Sequence, residues 1–128
     1  MIEEILDPVA RGARTLSYRR SQWWEGHQRA PIRDQLVTPV MILEGVGALR
    51  REFRPYLCLG VYVAASRDVC LERGVTRDAA FGTPETIRDL WQRYFSDEEK
   101  YMARDQPERY ACIVVDGSQP FEDQLALR

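Results

Sequence analysis

The sequence predicts an α/β protein: a parallel sheet with helices on its faces. Apolar, β-branched runs recur at Pro39 to Val46, Leu57 to Ala65 and Ala111 to Asp116, and segments of helical periodicity separate them. Strands that alternate with helices pair in parallel, because each crossover carries the chain back to the same end of the sheet. In such sheets chemistry gathers at the carboxyl ends of the strands. Here those ends are Glu44-Gly45, Ala65-Ser66 and Asp116-Gly117, and the pattern places all three on one rim.

Taken in order, Ile2, Ile5, Leu6 and Val9 repeat at helical spacing, Pro8 kinks or restarts that helix, and Gly12 is placed to end it. From Arg14 to Thr38 the pattern dissolves into an arginine- and aromatic-rich connection, Tyr18-Arg19-Arg20-Ser21-Gln22-Trp23-Trp24, with loop signals at Gly26 and Pro31. The run Val40-Met41-Ile42-Leu43 then ends abruptly in Glu44-Gly45-Val46-Gly47. It reads as a strand buried on both faces that stops at a ligand crevice. A carboxylate there calls for a metal, a base or a phosphate-bound water, unless Glu44 caps the next helix.

Ala48 to Phe53 reads as a short basic helix, and Arg67 to Arg73 as the helix after the second strand. The best-specified element starts at Thr83. Thr83 is the N-cap, Pro84 takes the first helical position, and Glu85 suits the positive end of the helix dipole. Its stripe of Ile87, Leu90, Trp91, Tyr94 and Phe95 has a 3.6-residue period and reads as core.

A chain of 128 residues has room for one domain with one modest core. A formal net charge of −2 gives no overall pull toward nucleic acid or an anionic membrane, so any anion site must be local. Glu3, Glu4 and Asp7 interrupt the first residues, and no stretch reaches membrane-spanning length. The expected compartment is the cytoplasm, with no membrane partner. Cys58, Cys70 and Cys112 lie far apart and form no CxxC pair, which favours buried free thiols over a disulfide framework, a zinc site or a reactive centre. His27, the only histidine, sits between Gly26 and Gln28 and reads as solvated.

Arg73, Arg77 and Asp78 close the segment Cys70-Leu71-Glu72-Arg73-Gly74-Val75-Thr76-Arg77-Asp78, where the helix is expected to run out into a glycine-containing loop. Two guanidinium groups four residues apart can face one spot and suit a polyphosphate, although taken alone such a pair is more often a solvated helix end. In series with Ile42-Leu43-Glu44-Gly45-Val46-Gly47-Ala48-Leu49, with Gly60-Val61-Tyr62-Val63-Ala64-Ala65, with Trp91 followed by Glu98-Glu99-Lys100-Tyr101, and with Asp105-Gln106-Pro107-Glu108-Arg109-Tyr110-Ala111-Cys112-Ile113-Val114-Val115-Asp116-Gly117, the chain resembles the uridine kinase-like branch of the P-loop kinases. The pieces keep that family's order and approximate spacing from about Ile5 to Gly117.

The resemblance implies a parallel three-strand remnant of the family's three-layer, Rossmann-like fold, with residues 1–128 forming a single incomplete domain. It implies a kinase that transfers a phosphoryl group from ATP, with Mg2+, to a hydroxyl of a small acceptor such as a nucleoside. Glu44 would lie near the metal and phosphates. Arg73 and Arg77 would embrace the transferring phosphate from a lid, with Asp78 as the lid acid. Asp116-Gly117 would lie near the nucleotide base, and the stretch with Tyr18 and Trp23 would line the acceptor pocket.

The chain departs from the family in one large respect. No GxxxxGK[ST] loop occurs in it, and its only lysine is Lys100, with no glycines before it. Without nested amides and their lysine, the β- and γ-phosphates of ATP have no cradle, so weak or no nucleotide binding is expected of this chain by itself. The family's second strand, which carries the aspartate that accepts the acceptor's proton, is absent too. In the resembled fold the strands lie in the order second, third, first, fourth, fifth, so the strands from Pro39 and Leu57 lose their shared neighbour and leave backbone groups unpaired. An incomplete fragment, a collapsed three-strand sheet, strand supply from a partner and a start codon assigned too late all fit this gap. Three functions follow: the C-terminal part of a kinase; a non-catalytic, kinase-derived module completed by self-association or strand donation; and a single-strand nucleic-acid platform at Arg19-Arg20 and Trp23-Trp24, against which the acidic balance argues.

Overall fold

The computed structural model describes residues 1–20 and 30–119, and it divides into two compact units. One comprises residues 1–48 and 52–57; the other comprises 49–51 and the chain from Cys58 onward.

The first unit opens with one wide helical turn, Ile2–Leu6, continued by α1 (Asp7–Ala10). Pro8 stands in the first turn of α1, where its missing amide costs no helical bond. Gly12, at φ +83°, ends the element by a conformation that residues with a Cβ rarely adopt. The chain then forms a hairpin of β1 (Thr15–Arg20) and β2 (Ala30–Leu36), antiparallel, with Thr15 opposite Leu36 and Tyr18 opposite Ile32. Between the pairs Leu16–Gln35 and Tyr18–Ile32, the single Ser17 faces both Arg33 and Asp34, which makes a bulge on β2. Asp34 takes φ +54° there, and its amide donates to Ser17 Oγ at 3.4 Å. The first helical turn packs on β1, and Leu16 is buried. Tyr56, in the 3-10 turn Arg54–Tyr56, donates its hydroxyl to Asp7 Oδ1 at 2.6 Å.

This hairpin corrects the expectation of an irregular connection from Arg14 to Thr38. The bulge breaks the alternation of two that marks a strand, so the local sequence hides it. Trp23 and His27 lie outside the described residues.

The second unit holds a parallel pair, β3 (Val61–Ala64) and β4 (Ile113–Asp116), with Val61 opposite Ile113 and Ala64 opposite Asp116. Between them run α2 (Arg67–Asp78), the 3-10 turn Ala79–Phe81, α3 (Pro84–Asp105) and the short α4 (Pro107–Tyr110). The fold class is therefore mixed α/β with a parallel two-strand sheet. Ser66 caps α2 by accepting the Val69 amide, and Thr83 caps α3 by accepting the Thr86 amide. Left-handed Gln106, at φ +48°, ends α3 by donating its amide to Met102 O at 3.0 Å.

Helices α2 and α3 pack on each other through Gly74 and Trp91, and the core beside them is Ile87 and Phe95, each about 5% exposed or less. Arg67 reaches across from α2, pairing with Glu99 and lying 4.9 Å above the Phe95 ring. Trp91, Tyr94 and Phe95 stack edge-on or tilted, with centroids 5.4–6.3 Å apart. Leu90, placed in the same stripe by periodicity, is instead exposed, because only part of a helix face is covered by a single partner helix. Tyr62 meets α3 by directing its hydroxyl at Met102 Sδ, 3.8 Å away. Alternation along the strands puts Val61, Val63 and Ile113 on the opposite face, where all three are exposed.

Three further expectations change. Residues 39–46 join neither sheet: Val40 is 76% and Ile42 89% exposed, so the segment is no buried strand. A strand buried on both faces needs hydrogen-bonded neighbours on both edges, and none of the described strands flanks it. Residues 48–53 form turns rather than a helix, with Pro55 starting only the 3-10 turn. Cys58 and Cys112 are exposed and Cys70 half-buried, all as free thiols, and Cys58 and Cys112 precede β3 and β4 instead of lying inside them.

Candidate functional site

The ends of β3 and β4 share a rim, as the alternation of strands and helices predicts. Gly117 follows β4 and donates its amide to Ala64 O at 2.6 Å. A Cβ on Gly117 would stand 2.7 Å from Val63 Cγ1 and 3.1 Å from Ala64 O, so a glycine lets the two strand ends close on each other. Asp116 accepts from the Ser118 amide at 2.8 Å and from Ser118 Oγ at 2.6 Å. Those two bonds hold its carboxyl below the usual range. Its charge is thus turned into its own loop as an Asx turn.

Arg73 joins this rim from α2, its Nη1 donating to Gly117 O at 2.6 Å. Arg77 does not. It pairs with the neighbouring Asp78 through Nε at 2.8 Å and Nη2 at 3.1 Å, and lies 5.5 Å above the Trp91 ring. Asp78 Oδ2 also accepts Trp91 Nε1 at 3.1 Å. The Arg77 guanidinium, its main partner, and the Trp91 indole hold the Asp78 carboxyl below its ordinary range, and the same carboxylate raises Arg77. The expected convergence of Arg73 and Arg77 is therefore corrected: the two guanidinium groups serve separate acceptors. The glycine-containing loop is corrected too, since α2 runs unbroken through Gly74 to Asp78. Gly74 is there for helix packing.

In the other unit, Glu44 is an exposed carboxylate before Gly45, whose φ of +136° opens a turn closed by the Ala48 amide donating to Gly45 O at 2.9 Å. It ends no strand and caps no helix. Tyr18 lines an open hollow on the hairpin with Glu4, Ser17, Arg19, Ile32, Arg33 and Asp34. The hollow carries both charge signs, and the Arg19 amide donates to Glu4 Oε2 at 3.4 Å across it.

Asp105 was not singled out by sequence, yet it is the one buried charged side chain among the described residues, 2% exposed. It accepts the Arg51 amide at 2.9 Å and Arg104 Nε at 2.7 Å, and so pins residues 49–51 to the end of α3. Burial alone would raise its carboxyl, but the Arg51 amide and the Arg104 and Arg51 guanidinium groups outweigh it and leave the group below its ordinary range. Its position just ahead of the helix-ending Gln106-Pro107 is the only sequence signal for this role.

These residues do not fit Mg2+ or ATP as they stand. Glu44 is a single exposed acid, no group of three or more His, Cys, Asp or Glu could hold a metal among the described residues, and no glycine loop with a lysine offers amides to phosphates. No described helix is long and apolar enough to cross a membrane. No family model matches the chain, and neither a curated protein nor a solved structure matches it.

Proposed function

We propose that this chain is the C-terminal part of a nucleotide-dependent kinase of the uridine kinase-like branch, acting by phosphoryl transfer to a hydroxyl of a small acceptor, and that it is inactive by itself. The supporting observation is the strand pairing. In the resembled fold the fourth and fifth strands are neighbours, and the third touches only strands that this chain lacks. Here β3 and β4 pair in parallel and residues 39–46 join neither sheet among the described residues.

On this reading Arg73 is stationed at the rim near Asp116 and Gly117, and the hollow around Tyr18 belongs to the acceptor. Arg77 and Asp78 would reach phosphate only by releasing each other. Glu44 would gain a metal only when the absent strands bring the segment before it into a sheet. Sequencing the reading frame upstream of the Met1 codon tests the proposal: an in-frame GxxxxGK[ST] after an apolar run is the expected result, and its absence would sink the kinase. Titration of the chain with magnesium-ATP is expected to give no measurable heat of binding.

A non-catalytic, kinase-derived module completed by a partner's strand is the second reading. The exposed Val61 and Val63 on β3 favour it.

A further inference from the structure

We infer that two copies of this chain associate by strand exchange, residues 40–43 of each pairing with the free edge of β3 in the other. The inference rests on two deficits that match. Residues 40–43, Val-Met-Ile-Leu, have strand composition and no charge, and Val40, Met41 and Ile42 are 76%, 47% and 89% exposed. Among the described strands, β3, Val-Tyr-Val-Ala, pairs on one side only, with β4.

Proteins protect free edges with lysine, proline, bulges or inward charges. None of these devices occurs in β3, whereas β4 ends in Asp116. The donor segment and the acceptor edge are both four residues long, so the pairing would engage the edge-facing backbone groups of β3, while Val40 O already accepts from Thr38 Oγ1 at 2.6 Å. The docked strand would also extend the face that holds Val61, Val63 and Ile113, exposed by 44%, 59% and 37%. In a two-fold exchange the same contact is made twice, as a closed, isologous association requires. A net charge of −2 per copy sets up little repulsion against it. The inference does not depend on the proposed kinase ancestry, since it uses only exposure and pairing.

Size-exclusion chromatography with light scattering on the full chain, over a dilution series, is the test. A dimer that dissociates on dilution is expected, and a monomer at every concentration overturns the inference. Ile42→Lys spoils the donor segment and Val63→Lys the acceptor edge, and both positions are exposed, so both variants keep the fold, read by far-UV circular dichroism. Each variant alone is expected to be at least tenfold weaker in self-association. Mixed together, they are expected to form a heterodimer, because one intact donor then meets one intact edge. A dimer that survives both substitutions, or variants that never complement, would overturn strand exchange in favour of another interface.

Discussion

Gly74 on α2 lies directly against the Trp91 indole on α3: a Cβ at position 74 would stand 2.2 Å from Cε2 and 2.3 Å from Cζ2. No side chain fits at that distance, so the helix separation is set by the glycine. Gly74→Ala gains up to about 1 kcal/mol of helix propensity and loses roughly 1–3 kcal/mol to overpacking. The second effect wins. Urea denaturation followed by tryptophan fluorescence is expected to show a net loss of stability and an altered native emission, and a stabilised Gly74→Ala protein would refute the packing.

Asp105 makes acid stability dependent on one buried carboxyl. Its folded-state pKa is depressed, so its contribution is fully present above the unfolded value near pH 4 and is lost as pH falls through the folded value. Asp105→Asn is expected to lower stability near neutral pH by about 1–3 kcal/mol, since the Arg51 amide and two guanidinium groups lose their charged acceptor. The loss should shrink as pH falls below 4. Thermal melts of both proteins from pH 3 to pH 7 read the difference.

Thr83 accepts the Thr86 amide at the start of the longest helix, with Glu85 in the first turn. Thr83→Ala is expected to cost about 1 kcal/mol, and Thr83→Ser to restore most of it. Chemical denaturation of the pair is the check. Equal stability of Ala and Ser at this position would show that the cap carries no energy.

Arg73 holds the turn after β4 without burying its charge, so its bond to Gly117 O is worth no more than about 1 kcal/mol. Arg73→Ala is expected to leave the unfolding midpoint nearly unchanged while amide exchange at Gly117 and Ser118 speeds up. Hydrogen-exchange mass spectrometry over the segment distinguishes this from a structural role for Arg73 throughout the unit.

The longest described helix was legible in the chain itself by its cap and first-turn proline, and Ile87 and Phe95 of its apolar stripe are buried while Leu90 is not, because the cap signals act within a few residues of one another and burial depends on the partner helix. The strands expected at Leu57 to Ala65 and Ala111 to Asp116 form over the shorter spans Val61–Ala64 and Ile113–Asp116, and their ends share a rim as expected. The hairpin was not, because the bulge of Arg33 and Asp34 against Ser17 breaks the alternation by which a strand declares itself. Residues 39–46 show the reverse case. Their composition is that of a buried strand, yet Ile42 is 89% exposed.

Local sequence by itself determined the helix from Pro84 and marked the segments in which β3 and β4 form, whereas residues 48–53, which read as a short helix, form turns. It also determined that no phosphate loop is present, since a loop of that kind is written in consecutive residues. Only the tertiary structure decided which strands find partners, where Arg73 and Arg77 place their guanidinium groups, and that Asp105 rather than Glu44 is the buried acid. The physical reason is the same for all three. The pairing of β3 with β4, the bond of Arg73 to Gly117 and the burial of Asp105 against Arg51 join residues tens of positions apart, and the Arg77–Asp78 pair is set beside Trp91 of the next helix, so the outcome depends on neighbours that local composition does not supply.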